Sequence, residues 1–159
     1  VIARSARFTL SSVRQVAKVE VRGYDPANKK AIKGEANKVS EAFDGTTGPQ
    51  GAGEAHWGAS TKGPVLTIVD RPVKDKKEAD AIAQSIFDSI AMQFQTAEIE
   101  IEGTPLVMAG VIVELKQFTK RFDGKYLVES CVHVVSGNDD GCPYICRLSL
   151  SRNAHPKGS

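Results

Sequence analysis

The sequence predicts an α+β fold, mainly β: an antiparallel curled sheet or barrel with one flanking amphipathic helix. Three observations carry this reading. Residues from Lys76 to Phe94 hold the chain's one apolar stripe at helical spacing. After Phe94 come four runs of strand-forming residues separated by turn formers. Near the start, Val19 and Val21 alternate with Lys18, Glu20 and Arg22, the period-two pattern of a half-buried strand.

The first segment, Phe8 to Gly23, is predicted as strand, and Gly23 to Asn28 concentrates the residues that start turns. Lys29 to Ala36 then returns as a short strand around Ile32. Residues 37–64 lose apolar periodicity and carry six glycines between Gly45 and Gly63, so they are predicted as a long Gly-rich loop. Within it, His56 and Trp57 offer a lone imidazole and a lone indole with no partner motif. Val65 to Val69 reads as a strand ended by Asp70-Arg71-Pro72.

The helix is expected to start after Asp75 as N-cap, with Glu78 three residues on. Its apolar face is predicted as Ala79, Ile82, Ala83, Ile86, Ile90 and Phe94. The strands that follow are expected at Ala97–Glu102, Val107–Phe118, Lys125–Val135 and Tyr144–Ser151. Asp123-Gly124 predicts a tight hairpin turn, and residues 136–141 a longer one. These patterns place residues 97–152 in one curved sheet closed by the strand at Arg14–Gly23. The helix packs on that sheet through Ile82, Ile86 and Ile90. Residues 1–152 form one body, and residues 153–159 read as linker or chain end.

Composition excludes several classes. At 159 residues, 41% hydrophobic and 25% charged, the chain suits one globular unit, and no apolar run approaches the roughly 20 residues of a membrane helix. No membrane anchor is expected. A net charge of +2 is a weak attraction for nucleic acid; Arg14 to Lys38 holds seven basic residues against three acidic ones but only Tyr24 for stacking. Three cysteines at irregular spacing do not form a disulfide framework and fit a reducing compartment.

Catalytic signatures fail one by one: there is no phosphate loop, nucleophile elbow or His-Glu-x-x-His pair. Glu98, Glu100 and Glu102 alternate with Ile99 and Ile101, which describes the outer face of a strand. One cluster offers metal-type donors: Cys131, His133, Cys142 and Cys146. If the last hairpin is symmetric about residues 139 and 140, His133 faces Cys146 and Cys131 shares their face. The spacing matches no standard zinc signature, and Cys is a common core residue. The expectation is no catalytic residue, no cofactor and no metal.

Collinear segments resemble one family. They are Val19-Glu20-Val21-Arg22-Gly23-Tyr24-Asp25-Pro26, Lys30 to Ala36, Arg71-Pro72-Val73 and Glu78 to Ala83. Towards the end come Gly103-Thr104-Pro105-Leu106, Ala109-Gly110, Val113-Glu114-Leu115, Phe122 to Val128, His133, and Tyr144 through Asn153. Together they resemble the late control gene D proteins of contractile phages and the related VgrG spike proteins of type VI secretion. The match corresponds to the carboxy-terminal portion of the hub domain.

The resemblance implies a tail-tube-like barrel in a structural, non-enzymatic component of a contractile injection apparatus. Its implied partners are copies of itself as a trimer in the full-length parent, a tube protein and a spike, with no small-molecule substrate. Its implied location is the bacterial cytoplasm during assembly and then the virion tail or injection particle. Two other functions are compatible with the same residues: a fragment of a tail-associated cell-wall hydrolase, and a small metal-binding β module.

Overall fold

Strand pairing divides the chain between two main sheets, each with its own apolar cluster. The computed structural model describes residues 2–26, 28–43, 46–47, 63–69, 71–136 and 144–155, with backbone only for Thr46, Thr47 and His155. The larger sheet uses β1 (Ala3–Leu10), β6 (Gln95–Glu102), β7 (Ile112–Leu115), β8 (Gly124–Val135) and β9 (Tyr144–Arg152) in the order β1-β6-β9-β8-β7, antiparallel throughout. It curls into a half-barrel. The smaller sheet joins β2 (Lys18–Asp25), β3 (Lys30–Ala36) and β5 (Val65–Ile68), with β2 central. A short pair, β4 (Thr46–Thr47) with β10 (Ala154–His155), links the middle of the chain to its end.

The mainly β class with one helix is what the sequence predicts; the partition differs. One edge of the larger sheet is β1, whose Phe8 lies opposite Ala97 on β6. Residues 14–23 do not close it, because β2 pairs antiparallel with β3 and parallel with β5 instead. The inner face of β6 follows the predicted alternation: Ala97, Ile99 and Ile101 are buried while Glu98 and Glu102 are exposed. They pack with Tyr126, Val128, Cys146, Leu148 and Leu150. Phe8 stacks on Phe122 at 4.6 Å and meets the edge of Phe118 at 5.1 Å, fastening β1 to the loop beyond β7.

Helix α1 (Lys76–Met92) begins where its cap predicts. The Asp75 carboxylate accepts from the Glu78 N–H at 2.8 Å, and the Glu78 carboxylate accepts from the Lys74 N–H at 2.7 Å. Its buried face is Ala79, Ala83, Phe87 and Ala91, whereas Ile82, Ile86 and Ile90 are half-buried flanks. The helix lies on β2 and β3 rather than on the 97–152 sheet, against Val19, Val21 and Ala36. Small residues explain this rotation. A Cβ on Gly34 would collide with the helix backbone at Ala79, so the helix rides directly on the strand along its alanine seam.

Two further corrections concern connections. Asp123-Gly124 makes no two-residue turn: Leu115 pairs with Gly124, and residues 116–123 form the connection, tied by the Phe118 N–H donating to the Asp123 carboxylate at 2.9 Å. Gly124 is needed there for another reason, since its φ is +131° and a Cβ would stand 2.8 Å from Arg152 Nη1. Asn153 and Ala154 are not linker but buried, and Asn153 holds the chain at Glu41 and Phe43 through its side-chain amide. Most of the predicted loop at 37–64, with His56 and Trp57, lies outside the described residues.

On the outer face of the smaller sheet, Glu20 receives Lys18 at 2.9 Å, Arg22 at 3.0 Å and Lys33 at 3.1 Å; Lys18 and Lys33 also reach Glu35. The basic stretch read from the sequence thus spends three of its cations on internal pairing. These hydrogen bonds, Lys18 first, hold the Glu20 carboxyl down at about 2 from an ordinary value of 4.5.

Two measurements check this architecture. Phe87→Ala is expected to cost about 3–5 kcal/mol in urea unfolding and Ile86→Ala less, about 1–2 kcal/mol, because only the first empties a closed site. The stabilisation from Glu20 is fully present above about pH 4.5 and lost as pH falls through about 2. The difference in Tm between wild type and Glu20→Gln should therefore narrow across that window in a thermal-melt series.

Candidate functional site

Strand β8 changes face partway along. Before residue 129 its inward side chains are Tyr126 and Val128, the latter opposite Leu150. A one-residue register shift between Val128 and Ser130 leaves Glu129 and Ser130 both exposed, after which Cys131 lies opposite Leu148 and His133 opposite Cys146. Because strand side chains alternate with period two, the extra residue turns Cys131 and His133 inward, where an unbroken strand would have turned them out.

The register about residues 139 and 140 is the one expected from the sequence, and it brings three of the four donor residues together. The ligand atoms of Cys131, His133 and Cys146 all lie within 4.8 Å of one another. His133 Nε2 is 3.3 Å from Cys131 Sγ, and His133 Nδ1 is 3.2 Å from Cys146 Sγ and 2.9 Å from the Tyr144 hydroxyl. The Tyr144 ring stacks beside the imidazole at 5.9 Å. Cys142 lies outside the described residues.

Burial grades across the cluster. Cys146 is fully buried in the larger core, Cys131 is half-buried and His133 is exposed, so the site opens at one mouth of the half-barrel. Cys146 Sγ donates to the Thr104 carbonyl at 3.6 Å and accepts from the Thr104 N–H at 3.5 Å, which fixes its position from the β6–β7 loop. Burial pushes the Cys131 thiol and the Tyr144 hydroxyl above their ordinary values, and Cys146 adds to both. Two thiols and an imidazole are soft donors of the kind that hold zinc.

Elsewhere the candidates weaken. Glu100 is engaged by Arg147 at 3.1 Å, as expected of an outer strand face. Among the described residues, the carboxyls of Glu20, Glu35 and Asp80 are pushed down by lysine partners, the opposite of a general acid. Sequence reasoning missed the register shift and the Tyr144 hydroxyl. The latter was within reach, since residue 144 shares the face of 146 by alternation.

The assembly-type features lie on the larger sheet. Its end strands β1 and β7 each have one paired side. Between β6 and β7, Leu106 and Met108 are exposed, as is Ile112 on β7. Beside β7 lies an open groove of about 540 Å³ of mixed character, lined by Ile2, Ile101, Val107 and Val113 together with Glu114 and Lys116.

The fold is similar to those of tail proteins. The 43 kDa tail protein of prophage MuSo2 from Shewanella oneidensis matches with a TM-score of 0.63 at 17% identity, over 95% of this chain and 41% of that one. The tail protein from Neisseria meningitidis MC58 matches with a TM-score of 0.58 at 11% identity, over 95% and 40%. A chain in the virion of a native gene transfer agent particle matches at 0.50 and 11%, over 92% and 27%. The chain thus spans about two fifths or less of the lengths of these proteins. No curated protein matches the sequence. The family model described as the Alg8 N-terminal domain matches residues 5–137, from within β1 through the whole of β8. With most of its length inside that match, the chain belongs to the Alg8 N-terminal domain family.

Proposed function

We propose that this chain is a structural module of a phage-type tail, and more specifically the carboxy-terminal portion of a baseplate hub that adapts a hexameric tube to a trimeric spike. The observation that carries the reading is the likeness of 95% of the chain to part of a larger prophage tail protein. The collinear resemblance to late control gene D and VgrG-like proteins points the same way.

The physical features support such a role. A half-barrel with an open groove and two one-sided edge strands is an incomplete surface, suited to being continued by a neighbouring body. Among the described residues no helix is long and apolar enough to cross a membrane. On this reading the protein is not an enzyme, needs no cofactor and assembles in the bacterial cytoplasm before entering the tail. Its partners are copies of itself, a tube protein and a spike.

Light scattering of the full-length parent is expected to give a trimer, and incubation with peptidoglycan to release no fragments. A monomeric parent that hydrolyses cell wall through this region would replace the hub by the hydrolase reading. Leu106→Asp, at a side chain 82% exposed, should change unfolding stability by no more than about 0.5 kcal/mol while weakening particle assembly.

A further inference from the structure

We propose that Cys131, His133 and Cys146 form a binding site for a zinc ion, with two thiolates, one imidazole and a fourth position open to water. The proposal is independent of any role in a tail. It revises the expectation of no metal, which rested on the irregular spacing of the donors. Spacing along the chain is not what assembles them. Two donors lie on β8 and one on β9, and they meet through cross-strand register.

Three observations converge. The first is distance: zinc with bonds of about 2.3 Å to sulfur and about 2.0 Å to nitrogen sets tetrahedral donors roughly 3.5–3.8 Å apart. His133 Nε2 stands 3.3 Å from Cys131 Sγ, while Cys146 Sγ is 3.2 Å from the other ring nitrogen, Nδ1; with one donor atom from each residue inside 4.8 Å of the others, a turn of the His133 and Cys146 side chains brings both sulfurs to one nitrogen. The second is the register shift at Glu129. It interrupts an otherwise regular ladder, and its effect is to put Cys131 and His133 on the face of Cys146.

The third is the surrounding support. The Tyr144 hydroxyl, 2.9 Å from His133 Nδ1, can accept a hydrogen bond from Nδ1–H, which leaves Nε2, the nitrogen beside Cys131, as the ligand atom. The Thr104 N–H donates to Cys146 Sγ at 3.5 Å, a bond that a thiolate keeps. Two soft sulfurs and one nitrogen select zinc over magnesium or calcium, which take oxygen. The exposed His133 leaves a coordination position facing solvent, so the bound ion would be exchangeable and reachable by an added ligand.

The test uses the whole chain, reduced, stripped with chelator, reloaded with zinc sulfate and dialysed. About one equivalent of zinc is expected by elemental analysis. Cobalt loading should give the visible bands of a tetrahedral site together with sulfur-to-cobalt charge transfer. Cys131→Ser and His133→Gln alter residues outside the closed core, and circular dichroism checks that both remain folded. Each should weaken zinc binding by roughly 100-fold or more, and Tyr144→Phe by about tenfold. Wild-type protein that keeps no zinc overturns the proposal. So does zinc held equally by wild type, Cys131→Ser and His133→Gln, which would mark an adventitious surface ion.

Discussion

The burial of one guanidinium governs how the two sheets meet. Arg152, the last residue of β9, is fully buried, and its side chain donates from Nη1 to the Asp123 carbonyl at 2.9 Å and from Nε to the Phe43 carbonyl at 3.2 Å. Its charge stands 5.3 Å from the centre of the Tyr126 ring. A buried guanidinium without acceptors is costly enough to unfold a domain of this size. The backbone at residue 43, which follows the smaller sheet, and the loop ahead of β8 are therefore both drawn to one point. Asn153 repeats the arrangement with Glu41 and Phe43. Gly124, the Tyr126 hydroxyl bond to the Phe122 carbonyl and the Gln95 amide bond to Tyr126 all accommodate this centre.

What could be read from the sequence follows the range of the physics involved. The Asp75 cap and the start of α1 depend on four consecutive residues, and the alternation over Ala97–Glu102 on six; both are found as predicted, with β6 beginning two residues earlier. The hairpin register of β8 and β9 was also legible near the loop, because pairing there is set by the distance from the turn. Long-range choices were hidden. Nothing local distinguishes β1 from β2 as the partner of β6, and Ile82, Ile86 and Ile90 outrank Ala79 and Ala83 on any hydrophobicity scale. The helix still turns its alanines inward, because Gly34 lets the backbones approach more closely than an isoleucine seam permits. Arg152 escaped notice because a lone arginine in a strand carries no sign of the carbonyls it will meet.

The candidate site was half legible for the same reason. Cys131, His133 and Cys146 could be placed on one face by assuming a symmetric hairpin. The shift at Glu129 that reconciles this face with the inward Tyr126 and Val128 has no local signature. Fold and family also speak at different levels. The Alg8 N-terminal domain match identifies residues 5–137 by sequence, whereas the likeness to tail proteins at 11–17% identity is one of backbone path. A shared path of this kind can host different tasks, so the open edges of the larger sheet stand beside the fold likeness as support for the functional reading.

The pairing of β1 with β6 has a consequence for how the protein is made. Ala3 to Leu10 finds its ladder partner at residues 95–101, with the smaller sheet and the helix lying between them in sequence. On a ribosome adding roughly 5–20 residues per second, β1 leaves the exit tunnel many seconds before β6 exists to receive it. The β2–β3 hairpin, whose strands are adjacent in sequence, needs no such wait. The smaller sheet and its helix can therefore settle as an early unit during synthesis, while β1 stays without its ladder partner until β6 is made to receive it.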